Sequence, residues 1–218
     1  LNQHGYRTIA PTQRGYSPQA RPSSRFSYRM SNLVGDIVAL MKKIDSDAVH
    51  LVGHDWGSSV AWALAAKYPQ YVKTFTSVSV PHSGAFMQSM LSSDQFFRVY
   101  YMGLFQLPKM PELMASHCPN MFKKMLQGTG LTESEVETIY TDVIDQGAFG
   151  ASINWYRAMF LLSPADMKRK VSVPTMHIWG DQDNALSRKS AELTKNFTTG
   201  FYRLEVLSGA THWIPLQN

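Results

Sequence analysis

The sequence predicts an α/β protein with a mostly parallel sheet flanked by helices. Short segments rich in β-branched and apolar residues alternate with helical segments, which is the pattern of parallel strands joined by crossover helices. A stretch dense in Met, Phe and Tyr interrupts this alternation, which then returns. With 218 residues, of which 44% are hydrophobic, the chain is long enough for one substantial core.

Five segments have the composition of strands. They are residues 6–10, 48–52, 71–80, 173–179 and 202–207. The second is typical of a strand that is buried on both faces. Pro11 ends the first strand and Pro81 ends the third, because proline cannot donate to a strand ladder.

Helices are predicted between these strands. Residues 32–44 carry apolar side chains at helical spacing, and residues 58–68 are rich in alanine. A third helix lies near residues 187–197, whereas residues 12–24 form an irregular loop rich in Gly, Pro, Ser and Arg. The interrupting stretch, residues 82–167, is predicted to be a helical insertion that divides an α/β core into residues 1–81 and 168–218.

A glycine-flanked acidic residue lies between the second strand and the alanine-rich helix. The sequence Gly53-His54-Asp55-Trp56-Gly57 has the form of a nucleophile elbow, a tight strand-to-helix turn. Glycines suit this turn because the chain reverses sharply around a strained central residue. Free N–H groups at the start of the helix favour an ionised Asp55. The alternative is that Asp55 only caps the helix, but capping requires neither glycine.

An aspartate at this position restricts the chemistry. A serine that attacks a saturated carbon leaves an ether, which water does not readily cleave, whereas a carboxylate leaves an ester, which water can hydrolyse. Asp55 therefore indicates substitution at a tetrahedral carbon, followed by hydrolysis of the alkyl-enzyme. The acyl transfer of an ordinary esterase is disfavoured.

The hydrolytic step needs a general base and an acid that orients it. On such folds the chain order is nucleophile, acid, histidine. His212 follows the last predicted strand, and both Asp181 and Asp183 follow the strand before it. These side chains are therefore expected at the carboxyl ends of parallel strands, where ligand sites form. Spacing alone does not decide between Asp181 and Asp183.

Other features have simpler explanations. His50 and His54 are four residues apart, but strand geometry does not point both at one ion, so we expect neither a metal nor a cofactor. The net charge is +5, yet the basic residues are scattered, so no nucleic-acid partner is expected. No apolar run approaches the ~18 residues that span a membrane. The single cysteine, Cys118, fits a reducing compartment such as the cytoplasm.

The chain resembles the epoxide hydrolase branch of the α/β-hydrolase superfamily, which also contains the haloalkane dehalogenases. The likeness extends over nearly the whole chain. It includes Gly5-Tyr6-Arg7, Arg14-Gly15-Tyr16, the elbow, residues 179–183 and His212-Trp213. The resemblance implies an α/β-hydrolase fold with residues 82–167 as a helical cap. It also selects Asp183 as the acid, because the second aspartate of the family's motif carries that role.

Two tyrosines of the insertion take part in the resemblance. Tyr156, in the sequence Asn-Trp-Tyr-Arg, matches the cap tyrosine that binds the epoxide oxygen. Tyr101, four residues before Phe105, matches the second such tyrosine, although Tyr100 beside it leaves the register open. A phenol is still a hydrogen-bond donor at pH 7 and stabilises charge on oxygen. The alternative is that both tyrosines only pack the insertion.

The sequence departs from the family at both ends. The family has earlier strands and a His-Gly-x-Pro loop that supplies one oxyanion-hole N–H, so only the N–H of Trp56 is accounted for here. The chain also stops soon after His212, where the family has a closing helix. We therefore expect a fragment that lacks the N-terminal strands and the C-terminal helix.

The resemblance implies an enzyme that opens an epoxide at Asp55 and releases a diol through His212 and Asp183. A small apolar substrate is expected, because several apolar side chains of the insertion are predicted to line a pocket. The alternative is that they only pack against one another. These are Phe96, Phe97, Met102, Phe105, Met159 and Phe160. Two alternatives stay open: a haloalkane or haloacid dehalogenase with the same triad, and a non-catalytic binding protein on the same fold. Halide release without diol formation would indicate the first, and tight binding without turnover the second.

Overall fold

A computed structural model describes residues 1–44 and 47–217. Within these residues four strands form one sheet in the order β1-β2-β3-β4, and every pairing is parallel. The strands are β1, Val49–His54; β2, Val72–Val78; β3, Thr175–Gly180; and β4, Tyr202–Leu207. Parallel neighbours need crossover connections, which helices supply here. The predicted α/β class with a parallel sheet is confirmed.

Two helices of the first part of the chain build the core against this sheet. They are α1, Met30–Lys43, and α2, Trp56–Lys67. Helix α2 packs on β1 and β2, and α1 packs on α2. Leu33 and Val34 of α1 are buried in one cluster with Leu64 of α2 and Phe75 of β2. Burial of each such side chain stabilises the fold by about 1.5–3 kcal/mol, and it fixes α2 at the end of β1.

Helices without strands occupy the chain between β2 and β3. They are α3, Ser83–Ser92; α4, Gln95–Arg98; α5, Tyr100–Leu104; α6, Met110–His117; α7, Pro119–Gln127; α8, Glu133–Ile139; α9, Phe149–Ser152; α10, Asn154–Ala158; and α11, Pro164–Lys168. A π-helical turn, Tyr140–Ile144, follows α8. Helix α12, Arg188–Leu193, connects β3 to β4. Among the described residues no helix combines the length and apolar character needed to cross a membrane.

Short 3-10 turns connect several of these elements. They are Asn2–His4, Pro18–Ala20, Arg25–Tyr28, Pro69–Tyr71, Met159–Leu161, Thr194–Phe197 and Ile214–Leu216. The helix predicted near residues 187–197 is thus α12 followed by a 3-10 turn. The loop at residues 12–24 is irregular apart from one such turn, as its composition predicts.

Two predictions about strands are wrong. Residues 6–10 do not form a strand, because none of the described strands runs beside them to share backbone hydrogen bonds. The ring of Tyr6 instead packs edge-on against the His50 ring of β1. Strand β1 is also not buried on both faces. Among the described strands it lies at the edge of the sheet, and the face that carries His50 and Val52 is exposed, to 61% at Val52. Apolar composition alone does not determine whether a neighbouring element covers a face.

Candidate active site

A strained turn holds Asp55 between β1 and α2. Asp55 has φ 49° and ψ −128°, in the left-handed region that a non-glycine residue rarely adopts. Its carbonyl accepts the first bond of the helix, from the N–H of Ser58 at 2.9 Å. A Cβ at position 53 would lie 2.7 Å from the Gly57 carbonyl oxygen and the Ser58 Cα, so the chain passes itself too closely for any residue but glycine. These are the geometric features expected of a nucleophile elbow.

The imidazole of His212 lies between two carboxylates. Its Nε2 is 3.4 Å from Oδ1 of Asp55, and its Nδ1 is 2.8 Å from Oδ2 of Asp183. Each residue follows the carboxyl end of a strand: Asp55 follows β1, Asp183 follows β3 and His212 follows β4. The parallel sheet therefore brings together three residues that lie far apart in the sequence, at the edge where ligand sites form in such folds.

Geometry separates the two candidate acids. The carboxylate of Asp183 is completely buried and directed at His212, and its second oxygen accepts the N–H groups of Ala185 and Leu186 at 2.8 and 2.9 Å. The half-buried Asp181 instead accepts the N–H of Gly209 at 2.8 Å. The structure thus places Asp183, and not Asp181, in contact with the histidine.

Charges in the site shift the pKa values of Asp55 and His212. Burial opposes the ionised form of Asp55, but the hydrogen bond with His212, the charges of His212 and His54, and the Trp56 N–H hold the pKa of Asp55 below its usual value. Burial likewise opposes protonation of His212, but hydrogen bonds to Asp183 and Asp55 and the charges of these carboxylates raise its pKa to about 10. The resting site therefore favours an imidazolium between two carboxylates.

A cavity of about 180 Å³ opens beside this triad. Asp55, His212, Tyr101 and Tyr156 all line it, so the structure brings both predicted tyrosines to the predicted nucleophile. The rings of Tyr101 and Tyr156 lie 6.1 Å apart, between centroids. Tyr100 is 71% exposed and does not line this cavity, so of the two neighbouring tyrosines Tyr101 is the one that faces it.

Both cavity tyrosines keep their protons at neutral pH. Burial, and next the charge of Asp55, raise the pKa of Tyr101 above its ordinary value. The same two causes, in the same order, raise the pKa of Tyr156 well above its ordinary value. Each phenol therefore remains a hydrogen-bond donor close to a carboxylate.

Contacts within the insertion fix the position of Tyr156. Its ring packs edge-on against Trp56 and Phe105, at centroid distances of 5.1 and 4.8 Å. Its backbone carbonyl accepts the Gln106 amide at 2.9 Å. The next residue, Arg157, forms an ion pair with Glu112 at 2.8 Å. Both side chains are partly shielded from solvent, and the pair connects α10 to α6.

The prediction for the apolar side chains of the insertion is only partly correct. Met102 and Met159 line the cavity, and Phe105 is buried against Tyr156. In contrast, Phe96, Phe97 and Phe160 are exposed at the surface and line no part of this cavity. Composition identifies an apolar segment, but the direction of each side chain depends on how the short helices pack.

Trp56 contributes both its ring and its backbone. The ring lines the cavity and contacts Trp155 and Tyr156. Its N–H, predicted as an oxyanion-hole donor, is among the groups that lower the pKa of Asp55. Its use on a reacting oxygen stays a prediction.

Sequence reasoning missed two residues that contact the histidine. The ring of His54 and the hydroxyl of Ser79 both hydrogen-bond the backbone carbonyl of His212, at 2.9 and 2.7 Å. His54 was visible only as a neighbour of the elbow. No sequence pattern distinguishes Ser79, because its special feature is a positive φ, which the amino-acid sequence does not reveal.

Comparisons with known proteins identify a family for this chain. The whole chain, residues 1–218, matches a family described as alpha/beta hydrolase fold. The AB hydrolase superfamily protein YfhM of Bacillus subtilis (strain 168) is 35% identical over 218 residues, which cover 96% of this chain and 75% of that protein. Epoxide hydrolase 4 of Mus musculus is 32% identical over 221 residues, which cover 96% of this chain and 61% of that protein.

A solved structure shows the same likeness. The epoxide hydrolase VrEH1 of Vigna radiata superposes with a TM-score of 0.73 at 28% identity, over 92% of this chain and 74% of that one. The resemblance to epoxide hydrolases is therefore confirmed. The chain spans about three fifths of the length of the mouse relative.

Proposed function

The chain belongs to the α/β-hydrolase fold family, and we propose that it opens an epoxide to a diol through an ester on Asp55. One observation carries this proposal: a carboxylate on a strained turn faces a histidine, within a cavity that two buried phenols share. The epoxide hydrolases among the relatives support the same reaction.

In the first step Asp55 attacks an epoxide carbon. An oxygen of the carboxylate forms a bond to carbon as the carbon–oxygen bond of the ring breaks, and negative charge develops on the departing oxygen. Tyr101 and Tyr156 line the same cavity as protonated phenols and donate to this oxygen. Donors fixed where charge develops are worth more in a shielded cavity than in water. One phenol passes its proton to this oxygen, so the product is an alkyl ester of Asp55 with a free hydroxyl group, and one phenolate is left.

In the second step His212 activates water. Esterification neutralises Asp55, so one of the two carboxylates that raise the pKa of His212 is lost. The histidine then releases its proton, which returns through the solvent to the phenolate left by the first step, and the neutral ring can act as a base at the stage that needs one. Water attacks the ester carbonyl as one of its protons passes to Nε2. The bond between the carbonyl carbon and the alkoxy oxygen then breaks, the second water proton passes to that oxygen, and the diol leaves Asp55 as a carboxylate. Asp183 holds the imidazolium that forms.

The cavity favours an apolar substrate. Its walls include Leu33 and Val34 of α1 and Met87, Met102 and Met159 of the insertion, side chains without charge. The insertion supplies both phenols, while the core supplies the triad. Residues 82–167 would thus work as a cap whose position determines whether the first step has its donors.

Oxygen labelling in a single turnover tests this mechanism. With enzyme in excess over styrene oxide in labelled water, the label should enter the Asp55 carboxylate, and the first diol should be unlabelled. Peptide mass spectrometry locates the label, and Asp55→Asn serves as the control that forms no ester. Label in the diol alone would mean direct attack by water.

The same preparation separates the alternatives. Halide release from a bromoalkane without diol formation from styrene oxide would indicate a dehalogenase. Tight binding of a diol without any turnover would indicate a binding protein.

A further inference from the structure

A buried serine outside the triad adopts a strained backbone conformation. Ser79 follows β2 with φ 67°, and it is completely buried. Two other described non-glycine residues have positive φ: Asp55, at the elbow, and Lys109, an exposed residue that precedes α6. Strain of this kind persists only where the surroundings enforce it, often beside functional sites.

The strained conformation directs the Ser79 hydroxyl at His212. Its Oγ donates to the backbone carbonyl oxygen of His212 at 2.7 Å. Its own N–H donates to the carbonyl of Ile178 in β3 at 2.8 Å, so the sheet holds the serine in place. Through Ser79, the rigid end of β2 determines where the backbone of the base lies.

His54 supplies a second donor to the same carbonyl. Its Nε2 lies 2.9 Å from the His212 oxygen, and because a carbonyl only accepts, the proton of neutral His54 is on Nε2. Burial lowers the pKa of His54, which keeps the ring neutral. Since His54 directly precedes Asp55, this bond ties the turn of the nucleophile to the loop of the base.

We propose that Ser79 and His54 are positioning residues that hold His212 for the hydrolysis of the ester. The inference rests on the proposed function, because it assigns these residues to its second step. The His212 side chain bonds the carboxylates at Asp183 and Asp55, and esterification weakens the second of these contacts. The two backbone donors do not change on esterification, so they keep the imidazole within reach of the attacking water. Small displacements of a reacting group reduce rates severely.

Stepwise kinetics of Ser79 and His54 variants test the proposal. Rapid-quench mass spectrometry follows formation and decay of the ester with styrene oxide. Ser79→Ala should slow ester decay about ten-fold, the factor that one ordinary hydrogen bond supplies, and leave ester formation unchanged. Ser79→Gly should lose the same factor although it relieves the strain. His54→Phe should also slow decay about ten-fold, and His54→Gln, whose amide can donate, should recover most of that rate.

The double variant and a matched control add to this design. Ser79→Ala combined with His54→Phe should slow decay about a hundred-fold if the two bonds act independently. The pH profile of ester decay should shift in each slow variant, whereas a loss of stability alone would not move it. Lys109→Gly relieves strain at an exposed site and should change neither step.

The outcomes separate this inference from the proposed function. Wild-type protein that forms no ester contradicts the proposed function. Wild-type protein that forms the ester, with variants that hydrolyse it at the wild-type rate or slow both steps equally, contradicts the positioning role alone. If Ser79→Ala does not fold, the comparison of His54→Phe with His54→Gln still tests whether a donor to the His212 carbonyl positions the histidine.

Discussion

Nδ1 of His212 lies 2.8 Å from Oδ2 of Asp183, and both side chains are almost completely shielded from solvent. The other oxygen of Asp183 accepts two backbone N–H groups of the following turn, so the carboxylate cannot rotate freely. An acceptor fixed at Nδ1 places the proton of the neutral ring there. It thereby leaves the lone pair of Nε2 directed towards Asp55, where a base needs it.

Asp183→Asn should therefore impair the second step. An amide is nearly isosteric, but its NH₂ group can donate to Nδ1 and favour the opposite tautomer. We expect ester decay to slow by about two to four orders of magnitude, with the ester accumulating on Asp55 to a level visible by intact-protein mass spectrometry.

The matched control for this variant is Asp181→Asn. Asp181 lies two residues earlier and bonds the Gly209 N–H instead of the histidine. Ester decay in this variant should stay close to wild type. Equal losses in the two variants would contradict the assignment of Asp183 as the residue that orients the base.

Replacing Asp55 by Asn should lower the pKa of His212. The wild-type value, about 10, depends on hydrogen bonds to and charges of both Asp183 and Asp55, and the variant keeps only the first carboxylate. Because the folded pKa exceeds the unfolded value of about 6.5, the protonated ring stabilises the fold fully below pH ~6.5. This contribution is lost as the pH rises towards 10. In Asp55→Asn the loss should be smaller and complete at lower pH.

Two measurements check this pH dependence. NMR titration of the His212 ring should give a lower midpoint in Asp55→Asn than in wild type. Urea unfolding from pH 6 to 10 should show a shallower decline in the free energy of unfolding. Asp142→Asn, at an exposed carboxylate of the insertion, should match wild type in both. An unchanged titration midpoint would mean that Asp55 does not act on the histidine.

The sequence was sufficient to predict an α/β fold with a parallel sheet, but not the direction of every side chain. The elbow was predictable because close chain contact requires Gly53 and because the flanking strand and helix are strongly patterned. The choice between Asp181 and Asp183 was not predictable from spacing, since the turn after β3 determines which carboxylate faces His212. The resemblance to a family supplied that choice, and the geometry agrees with it.

Other features depend on neighbours that the sequence does not specify. Residues 6–10 have strand composition, but a strand also needs a partner for its backbone groups. Phe96, Phe97 and Phe160 are apolar and yet face outwards. The strained φ of Ser79 has no sequence signal, because serine itself does not favour it.

Phenylalanine at either cavity tyrosine should slow ring opening. Tyr101→Phe and Tyr156→Phe each remove one hydroxyl donor while keeping the ring that packs the insertion. We expect ester formation to slow by about two to three orders of magnitude in each variant, as for the loss of an oxyanion donor. Ester decay, which does not use the epoxide oxygen, should change little. Rapid-quench mass spectrometry measures both steps.

Tyr100→Phe is the control for these variants, because Tyr100 is exposed beside Tyr101. It should form the ester at the wild-type rate. If instead Tyr100→Phe is slow and Tyr101→Phe is not, the phenol that acts on the substrate has been assigned to the wrong residue.

The insertion also forms hydrogen bonds with the loop that carries Asp183. Gln95 of α4 is completely buried; its amide donates to the Ala185 carbonyl and accepts the Ser187 N–H, both at 2.8 Å. In Gln95→Glu a carboxylate would face the Ala185 carbonyl, so an acceptor would meet an acceptor. We expect the free energy of unfolding to fall by about 1–3 kcal/mol, measured by urea denaturation. Gln88→Glu, on the exposed face of α3, should be neutral. A similar loss there would show that the effect is not specific to the hydrogen bonds of Gln95.

The elbow itself distinguishes its two glycines. A methyl group at position 53 would meet the Gly57 carbonyl and the Ser58 backbone at 2.7 Å, and backbone atoms of a packed helix cannot yield cheaply. Gly53→Ala should therefore lower the free energy of unfolding by about 1–3 kcal/mol, the range for overpacking, and also displace Asp55.

At position 57 the nearest atom is the Gln13 amide nitrogen at 3.6 Å, an ordinary contact. Gly57→Ala should stabilise α2 by up to about 1 kcal/mol, since alanine loses less entropy in a helix. Urea denaturation measures the stability of both variants, and rapid-quench mass spectrometry measures their rate of ester formation. Equal losses of stability in the two variants would contradict a steric requirement confined to Gly53.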